Sequence, residues 1–457
     1  MKTTAIKIAY LGGGSRHWAR DLMSELALTP GLSGSVALYD LDFVAAQKNV
    51  AIADAVFSRP EARTRFTVRA VRRLADALRG ADFVVLSIEP GPITVRYADL
   101  EIPAKYGIVQ PVGDTTGPGG IVRALRAIPV YADFARQIMT HCPQAWVINY
   151  TNPMTLCMAA LFAVEPRIKA IGCCHEVFHT QMRLAHLAEK TFEPPRPIQR
   201  QEIQLDLTGI NHFTWVTGAR WKKHELFPLL KKEISAPGFF RSRSREGAAR
   251  KRQGKYFESS GLIAMDLLRR FDALGAAGDR HLAEFVPWYA TDEQALHRWG
   301  GPLTPYRFRG ARAVLRDHDA AYYAQRPLRA SDEEGVRLIE ALLGLKPFTT
   351  NVNLLNTGQA KDLPLGHVVE GYVHVERNRI TPCRPPLLPP GPALLVRRAA
   401  EVQQLTLQAG FERDVELAFQ AILSDPLVRG PMDDLWVMFK RMLQHLRPHL
   451  PGWKIPA

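Results

Sequence analysis

Residues 5–11 (AIKIAYL) form an apolar run that ends in Gly12-Gly13-Gly14-Ser15, and Trp18, Leu22, Met23 and Leu26 follow at helical spacing. A strand that must turn through glycines into a helix leaves few folds open. Glycine lets the backbone reverse sharply and approach a charged ligand at the helix N-terminus. Residues 36–40 (VALYD), 82–88, 145–150 and 170–174 read as further short strands. Residues 120–141 put Val122, Leu125, Ile128, Ala132, Ala135 and Ile138 on one helical face. This alternation predicts an α/β fold with an N-terminal Rossmann-like, doubly wound parallel sheet.

After residue 190 the texture changes. Pro194, Pro195 and Pro197 punctuate a linker, and residues 201–208 alternate like an antiparallel strand. Residues 262–271, 333–343 and 393–410 read as helices, and Pro385-Pro386 with Pro389-Pro390 frame an irregular loop. The expected division is a nucleotide-binding domain over residues 1–190 and an α+β domain over 191–457 for substrate, catalysis and oligomerisation.

Hydrophobic residues make up 46% of the 457 and charged residues 23%, which excludes disordered and fibrous classes. Fifty-nine basic against 45 acidic residues leave +14, yet the densest basic stretch, residues 241–255, is interrupted. A diffuse basic surface is expected, and no nucleic-acid partner. The five cysteines are odd in number and lack a framework spacing, which points to a reducing compartment. No apolar span reaches the roughly 18 residues of a membrane helix. Met1-Lys2 leads into the first strand without a signal peptide, so the expectation is a cytoplasmic protein with no membrane partner.

Candidate ligand-binding residues sit at the ends of the strands. The turn Gly12, Gly13, Gly14, Ser15 fits a pyrophosphate-binding loop in part, with His17 where a third small residue belongs. Asp40 ends the second strand, where an acid takes ribose hydroxyls and favours NAD over NADP; Asp42 competes, or is a solvated loop carboxylate. Asn152, with Pro153 opening a helix, reads both as an N-cap and as a ligand contact. Cys174 is followed by His175 and Glu176, which an apolar core would not hold unpaired. With His212, Cys174 could make a catalytic metal site with open positions, and softness alone suggests zinc. His212 reads equally as a hydrogen-bonded core histidine.

Together these pieces resemble family 4 of the glycoside hydrolases, a group dependent on NAD and manganese. The resemblance includes the glycine turn, Arg96-Tyr97-Ala98-Asp99, Ile102-Pro103-Ala104-Lys105-Tyr106-Gly107 and Gly113-Asp114-Thr115-Thr116-Gly117-Pro118-Gly119-Gly120. It continues through Asn152-Pro153, Cys174-His175, Asn211-His212, Val352-Asn353, Asn356-x-Gly358 and Asp425-Pro426-Leu427. It implies the superfamily architecture of lactate and malate dehydrogenases, NAD as cofactor, and Mn2+ or another divalent metal on Cys174 and His212. It also implies that Arg96 and Asn152 contact substrate. Members acting on 6-phosphosugars carry Asn or Asp where His175 stands, so phosphosugars are disfavoured. The word Cys174-His175-Glu176-Val177 resembles the branch acting on α-galacturonides.

The chemistry implied is oxidation at sugar C3, proton removal at C2, elimination of the aglycone, water addition and re-reduction. His175 is then the expected general acid. Asp279 is the expected C2 base, with His281 as competitor and Tyr289 third. Glu176 would bond a sugar hydroxyl or tune His175. Rival readings are an α-glucuronidase, α-galactosidase or α-glucosidase of the same family, a 2-hydroxyacid dehydrogenase, and an NAD-dependent sugar sensor. The expected partners are a small glycoside, a uronide by preference, and copies of the chain in a homodimer or homotetramer.

Overall fold

β1 (Thr4–Leu11) is apolar on both faces because helices cover both. Ile6, Ile8 and Tyr10 pack with Leu22, Met23 and Leu26 of the helix Trp18–Leu28 and with Leu338 and Ile339 of the helix Gly335–Leu342. Ala9 and Leu11 point the other way, towards Ala124, Ile128 and Tyr131 of the helix Gly117–His141. The computed structural model describes residues 3–252, 260–301, 303, 317–331 and 333–456.

Five more strands complete a parallel sheet: β2 (Leu32–Tyr39), β3 (Phe66–Val71), β4 (Phe83–Leu86), β5 (Trp146–Asn149) and β6 (Lys169–Gly172). Their order is β3-β2-β1-β4-β5-β6, that of doubly wound dinucleotide-binding folds. β3 lies outside the runs singled out in the sequence. Only Phe66 and Val68 of it are buried, as befits an edge strand with one covered face.

The sheet continues past β6. β11 (Phe348–Leu355) pairs with it antiparallel at Asn353 opposite Gly172. Next come β12 (Val368–Glu376), β7 (Ile203–Ile210), β8 (Phe213–Trp221) and β10 (Leu274–Gly275). β13 (Arg379–Pro382) flanks β12, and β9 (His224–Glu225) flanks β8. Beyond the sheet, Val402 and Ala409 of the helix Pro390–Glu412, Phe419 and Ile422 of Val415–Ser424, and Met438 and Phe439 of Met432–Leu446 pack with Val122 and Leu125. Among the described residues no helix is long and apolar enough to cross a membrane.

The predicted helix 262–271 matches the observed Leu262–Phe271. Two boundaries differ. The helix after β5 starts at Met154 with Pro153 as its N-cap, so Asn152 is not the cap; no side chain bonds the helix amides there. Pro390 opens a 23-residue helix, where its fixed φ is pre-organised, so the preceding loop ends at Pro389. The basic stretch enters the helix Phe239–Arg252, and its residues 253–255 lie outside the described residues.

One buried acid ties the first helix to a distant segment. Glu25 is 7% exposed and accepts hydrogen bonds from the backbone N–H and hydroxyl of Ser331. Burial pushes its pKa from 4.5 up to about 8 against the help of Ser331, and Glu333 adds to the rise. Between those values the folded chain holds a proton that the unfolded chain releases, so stability falls as pH rises through this window. Glu25→Gln removes that loss. Its melting temperature should exceed the parent's by a margin that widens from about pH 5 to about pH 8 and is level above. A margin independent of pH in thermal melts would contradict this account.

Candidate active site

The turn after β1 is held by its own backbone. Gly12 and Gly13 donate to the Tyr39 carbonyl, and Gly14 donates to the Asp40 carboxylate at 2.8 Å. Gly12 has φ 95°, and a Cβ there would overlap the Ser87 carbonyl oxygen, so only glycine fits. Asn49 pins the turn from below, donating to the carbonyls of Gly13 and Ser15 at 2.7 and 2.9 Å. Asp40 also accepts from the Asp42 amide, while Asp42 caps the helix Phe43–Phe57 through Ala45. Of the two acids, Asp40 therefore faces the glycine turn.

Trp18, the first residue of the following helix, reaches from the turn into a cavity of about 790 Å3. The cavity opens at the carboxyl ends of β5 and β6, where ligands bind in such sheets. Arg96 comes from the helix Ile93–Ala104, Asn152 from the loop after β5, and Cys174, His175 and Glu176 from the loop after β6. Opposite them stand His212, in the two-residue link between β7 and β8, and Gly278, Arg280 and His281. His212 takes the left-handed region at φ 62°, unusual for a side chain with a Cβ.

Three ligand atoms, on Asp114, His212 and His281, lie within 4.8 Å of one another. Thr115 links two of these residues: its hydroxyl donates to Asp114 at 2.7 Å and lies 2.8 Å from His212 Nδ1. The His212 and His281 rings are 3.7 Å apart between centroids. Glu284, on the helix Asp279–Phe285 with His281, accepts from the amides of Val112 and Gly113 at 2.6 and 2.9 Å. The loop carrying Asp114 is thereby tied to the helix carrying His281. Cys174 shares the cavity but is outside the trio. Asn351 donates to its carbonyl oxygen at 3.2 Å and to Glu370 at 2.8 Å, and Asn211 also donates to Glu370.

Burial acts on every charge here. It would raise the pKa of Glu176, but His281, His212, His175 and the Gly278 amide outweigh it and bring the value down to about 2. The same contest, with His281, His212 and Arg96 prevailing, holds Asp114 well below the usual carboxylate range. Burial and the neighbouring His281 push His212 down to about 3, and burial also lowers His281. Neutral imidazoles keep lone pairs to offer. Burial, then Glu370, raises the Cys174 thiol. Among the described residues, the cavity-wall atoms buried without a hydrogen-bond partner include Asn152 Oδ1, His281 Nδ1 and Arg96 Nε.

The three expected C2 bases separate. Asp279 is fully buried, and its carboxylate accepts from the amides of Ile263 and Ala264, both at 3.1 Å, capping the helix Leu262–Phe271. It does not line the cavity, because the first residue of its short helix is turned away from it. Tyr289 donates to Asp266 at 2.8 Å, also away from the cavity. His281 alone of the three lines the wall. Glu176 meets the Gly278 amide at 2.6 Å and lies 3.8 Å from His281 Nε2, so its carboxylate faces the second half of the chain. The sequence reading missed Asp114, Arg183 and Arg280 as cavity groups. The Gly113-Asp114-Thr115-Thr116 turn was the available signal for the first.

The chain matches the profile of family 4 glycosyl hydrolases over residues 7–190 and that of the family's C-terminal domain over 207–428. It is 43% identical to an alpha-galacturonidase of Thermoanaerobacterium saccharolyticum, over 100% of this chain and 99% of that protein. A Bacillus subtilis crystal structure, lplD, superposes with TM-score 0.87 at 42% identity, covering 96% of this chain and 100% of the other. The 6-phospho-beta glucosidase of Thermotoga maritima, solved with manganese, NAD+ and glucose-6-phosphate, shares the fold at TM-score 0.77 and 19% identity, covering 97% and 99%.

The capping role of Asp279 makes Asp279→Ala a stability variant. Replacing a buried carboxylate that accepts two helix amides should cost about 1–3 kcal/mol. The check is denaturant unfolding beside the parent; an unchanged midpoint would refute the cap.

Proposed function

This chain belongs to family 4 of the glycosyl hydrolases, and on that footing we propose that it hydrolyses α-galacturonides with NAD and a divalent metal. The observation that carries the reading is a single cavity, reached from the glycine turn by Trp18 and lined by Arg96, Asn152, Cys174, His175, Glu176, His212 and His281. Full-length identity to an alpha-galacturonidase supports the substrate. So does the charge of the wall, where Arg96, Arg183 and Arg280 stand against Asp114 and Glu176, an excess that suits a uronate carboxylate.

The residues present fit both groups. The turn from Gly12 to Ser15 would hold the dinucleotide, with Asp40 beside it for a ribose. A soft thiol, two imidazoles and a carboxylate are donors for a borderline divalent metal, and Cys174 and His212 are the ligands proposed, with Asp114 adjoining. When bound, nicotinamide supplies reversible oxidation at C3, and the metal supplies polarisation of the sugar oxygens beside it. Asn152 and Arg96 orient the sugar. His281, whose buried Nδ1 has no hydrogen-bond partner, takes the C2 proton, and the ionised Glu176 stabilises the imidazolium that results. His175 protonates the departing oxygen. A thiol ligand calls for reducing surroundings, consistent with a cytoplasmic enzyme.

Three outcomes follow. With digalacturonic acid, NAD, Mn2+ and reductant in heavy water, released galacturonate should carry deuterium at C2 while no net NADH accumulates. An unlabelled product, or NADH formed mole for mole, would exclude the elimination route. His281→Asn should lower C2 exchange by about 100-fold or more, whereas folded Asp279→Asn should retain it; the reverse pattern would return the base to Asp279. Cys174→Ser should weaken Mn2+ binding about 10- to 100-fold in calorimetric titration, and unchanged affinity would remove Cys174 from the ligand set.

A further inference from the structure

His175 is the N-cap residue of the helix Glu176–Phe192, yet its side chain makes no cap bond. Its Nδ1 instead lies 2.9 Å from the carboxylate of Glu333. Glu333 is a remote residue, two positions before the helix Gly335–Leu342, and its side chain is only 13% exposed. The chain is held on both sides of it. Ser331 bonds Glu25, and Glu334 meets Arg200 at 2.6 Å and accepts from the Thr350 hydroxyl. The residues on either side of Glu333 are thereby tied to other elements.

The imidazole stands in a partition. It lines the main cavity and also a neighbouring one of about 640 Å3, which Glu333 lines as well. Trp18 packs against the ring at 6.0 Å between centroids, and His179 meets it edge-on at 5.8 Å. With Nδ1 committed to Glu333, Nε2 is the ring nitrogen at the opposite edge. A carboxylate on one imidazole nitrogen fixes tautomer and orientation for work at the other.

We infer that Glu333 is a positioning residue for aglycone departure, a role that rests on reading His175 as the acid. The Glu333 carboxylate accepts the Nδ1–H and stays ionised throughout. As C2 gives its proton to His281, the electron pair left on C2 forms the C1–C2 double bond. The C1–O bond then breaks, its pair leaves with the glycosidic oxygen, and that oxygen takes the proton from His175 Nε2. A group that acts through the acid matters in proportion to how badly the leaving group needs a proton.

The test uses the full chain with NAD, Mn2+ and reductant, and two substrates. Digalacturonic acid has a poor leaving group and para-nitrophenyl α-galacturonide a good one. Glu333→Gln should lower kcat on the disaccharide by about 100-fold and on the aryl substrate by no more than about threefold. Deuterium should still enter C2 of unreacted disaccharide in heavy water, because the earlier steps are intact. Glu333→Asp, with the charge kept, should recover part of the loss. Equal losses on both substrates, no loss on either, or a Glu333→Asp no better than Glu333→Gln would overturn the role of Glu333. His175→Asn separates the two layers of the argument: if it harms both substrates alike, the acid assignment fails. If it is selective and Glu333→Gln is not, only Glu333 is dismissed.

Discussion

The continuation of the sheet from β6 into β11 governs where everything else in this molecule stands. Asn353 faces Gly172 there, and a Cβ at position 172 would crowd Met154 and Asn353, so the two halves of the chain meet backbone to backbone. Because the junction is a strand pairing, it sets the register of β11 against the parallel sheet. That register places β12 and β7 beyond it and fixes the β7–β8 turn with His212 opposite the loop that carries Cys174. Behind Cys174, the buried Glu370 accepts from Asn351 and Asn211, so the junction is also stitched by side chains. Burial pushes Glu370 up to about 7 even against these bonds.

The cavity is an electrostatic compromise of buried acids and imidazoles. Glu176 and Asp114 remain ionised although burial opposes it, because the Gly278 amide bonds the first and Arg96 stands beside the second. His212 and His281 stay neutral because burial disfavours their charge more than two carboxylates favour it. Removing any one member would therefore alter the others. A pocket with acceptors, neutral nitrogens and fixed guanidinium groups is suited to a sugar whose hydroxyls and carboxylate make opposite demands.

The helix Glu176–Phe192 serves both sides of this arrangement. Its first residue bonds the Gly278 amide across the cavity, and the residue before it bonds Glu333 from a third part of the chain. Arg183, two turns on, donates to the Ser260 carbonyl at 3.0 Å. One helix thus gathers segments around residues 260, 278 and 333, none of which is near it in sequence. This is why the site depends on packing far from the parallel sheet.

Sequence alone determined the parallel-sheet half. Apolar runs alternating with helical faces dictate a parallel sheet covered on both sides, and the glycines at 12–14 are required by sterics that any such turn shares. It also named Asn152, Cys174, His175, Glu176 and His212, because polar or reactive residues at strand ends are conspicuous, and Arg96 through the family resemblance alone; folding brings them to one cavity. It could not separate Asp279 from His281: they are two residues apart, and which faces the cavity depends on the rotation of a seven-residue helix set by distant contacts. Asp114 and Glu333 were silent for a related reason. A carboxylate in a polar loop looks solvated until a histidine 98 or more residues away in the chain closes on it, and only the tertiary structure brings the two together.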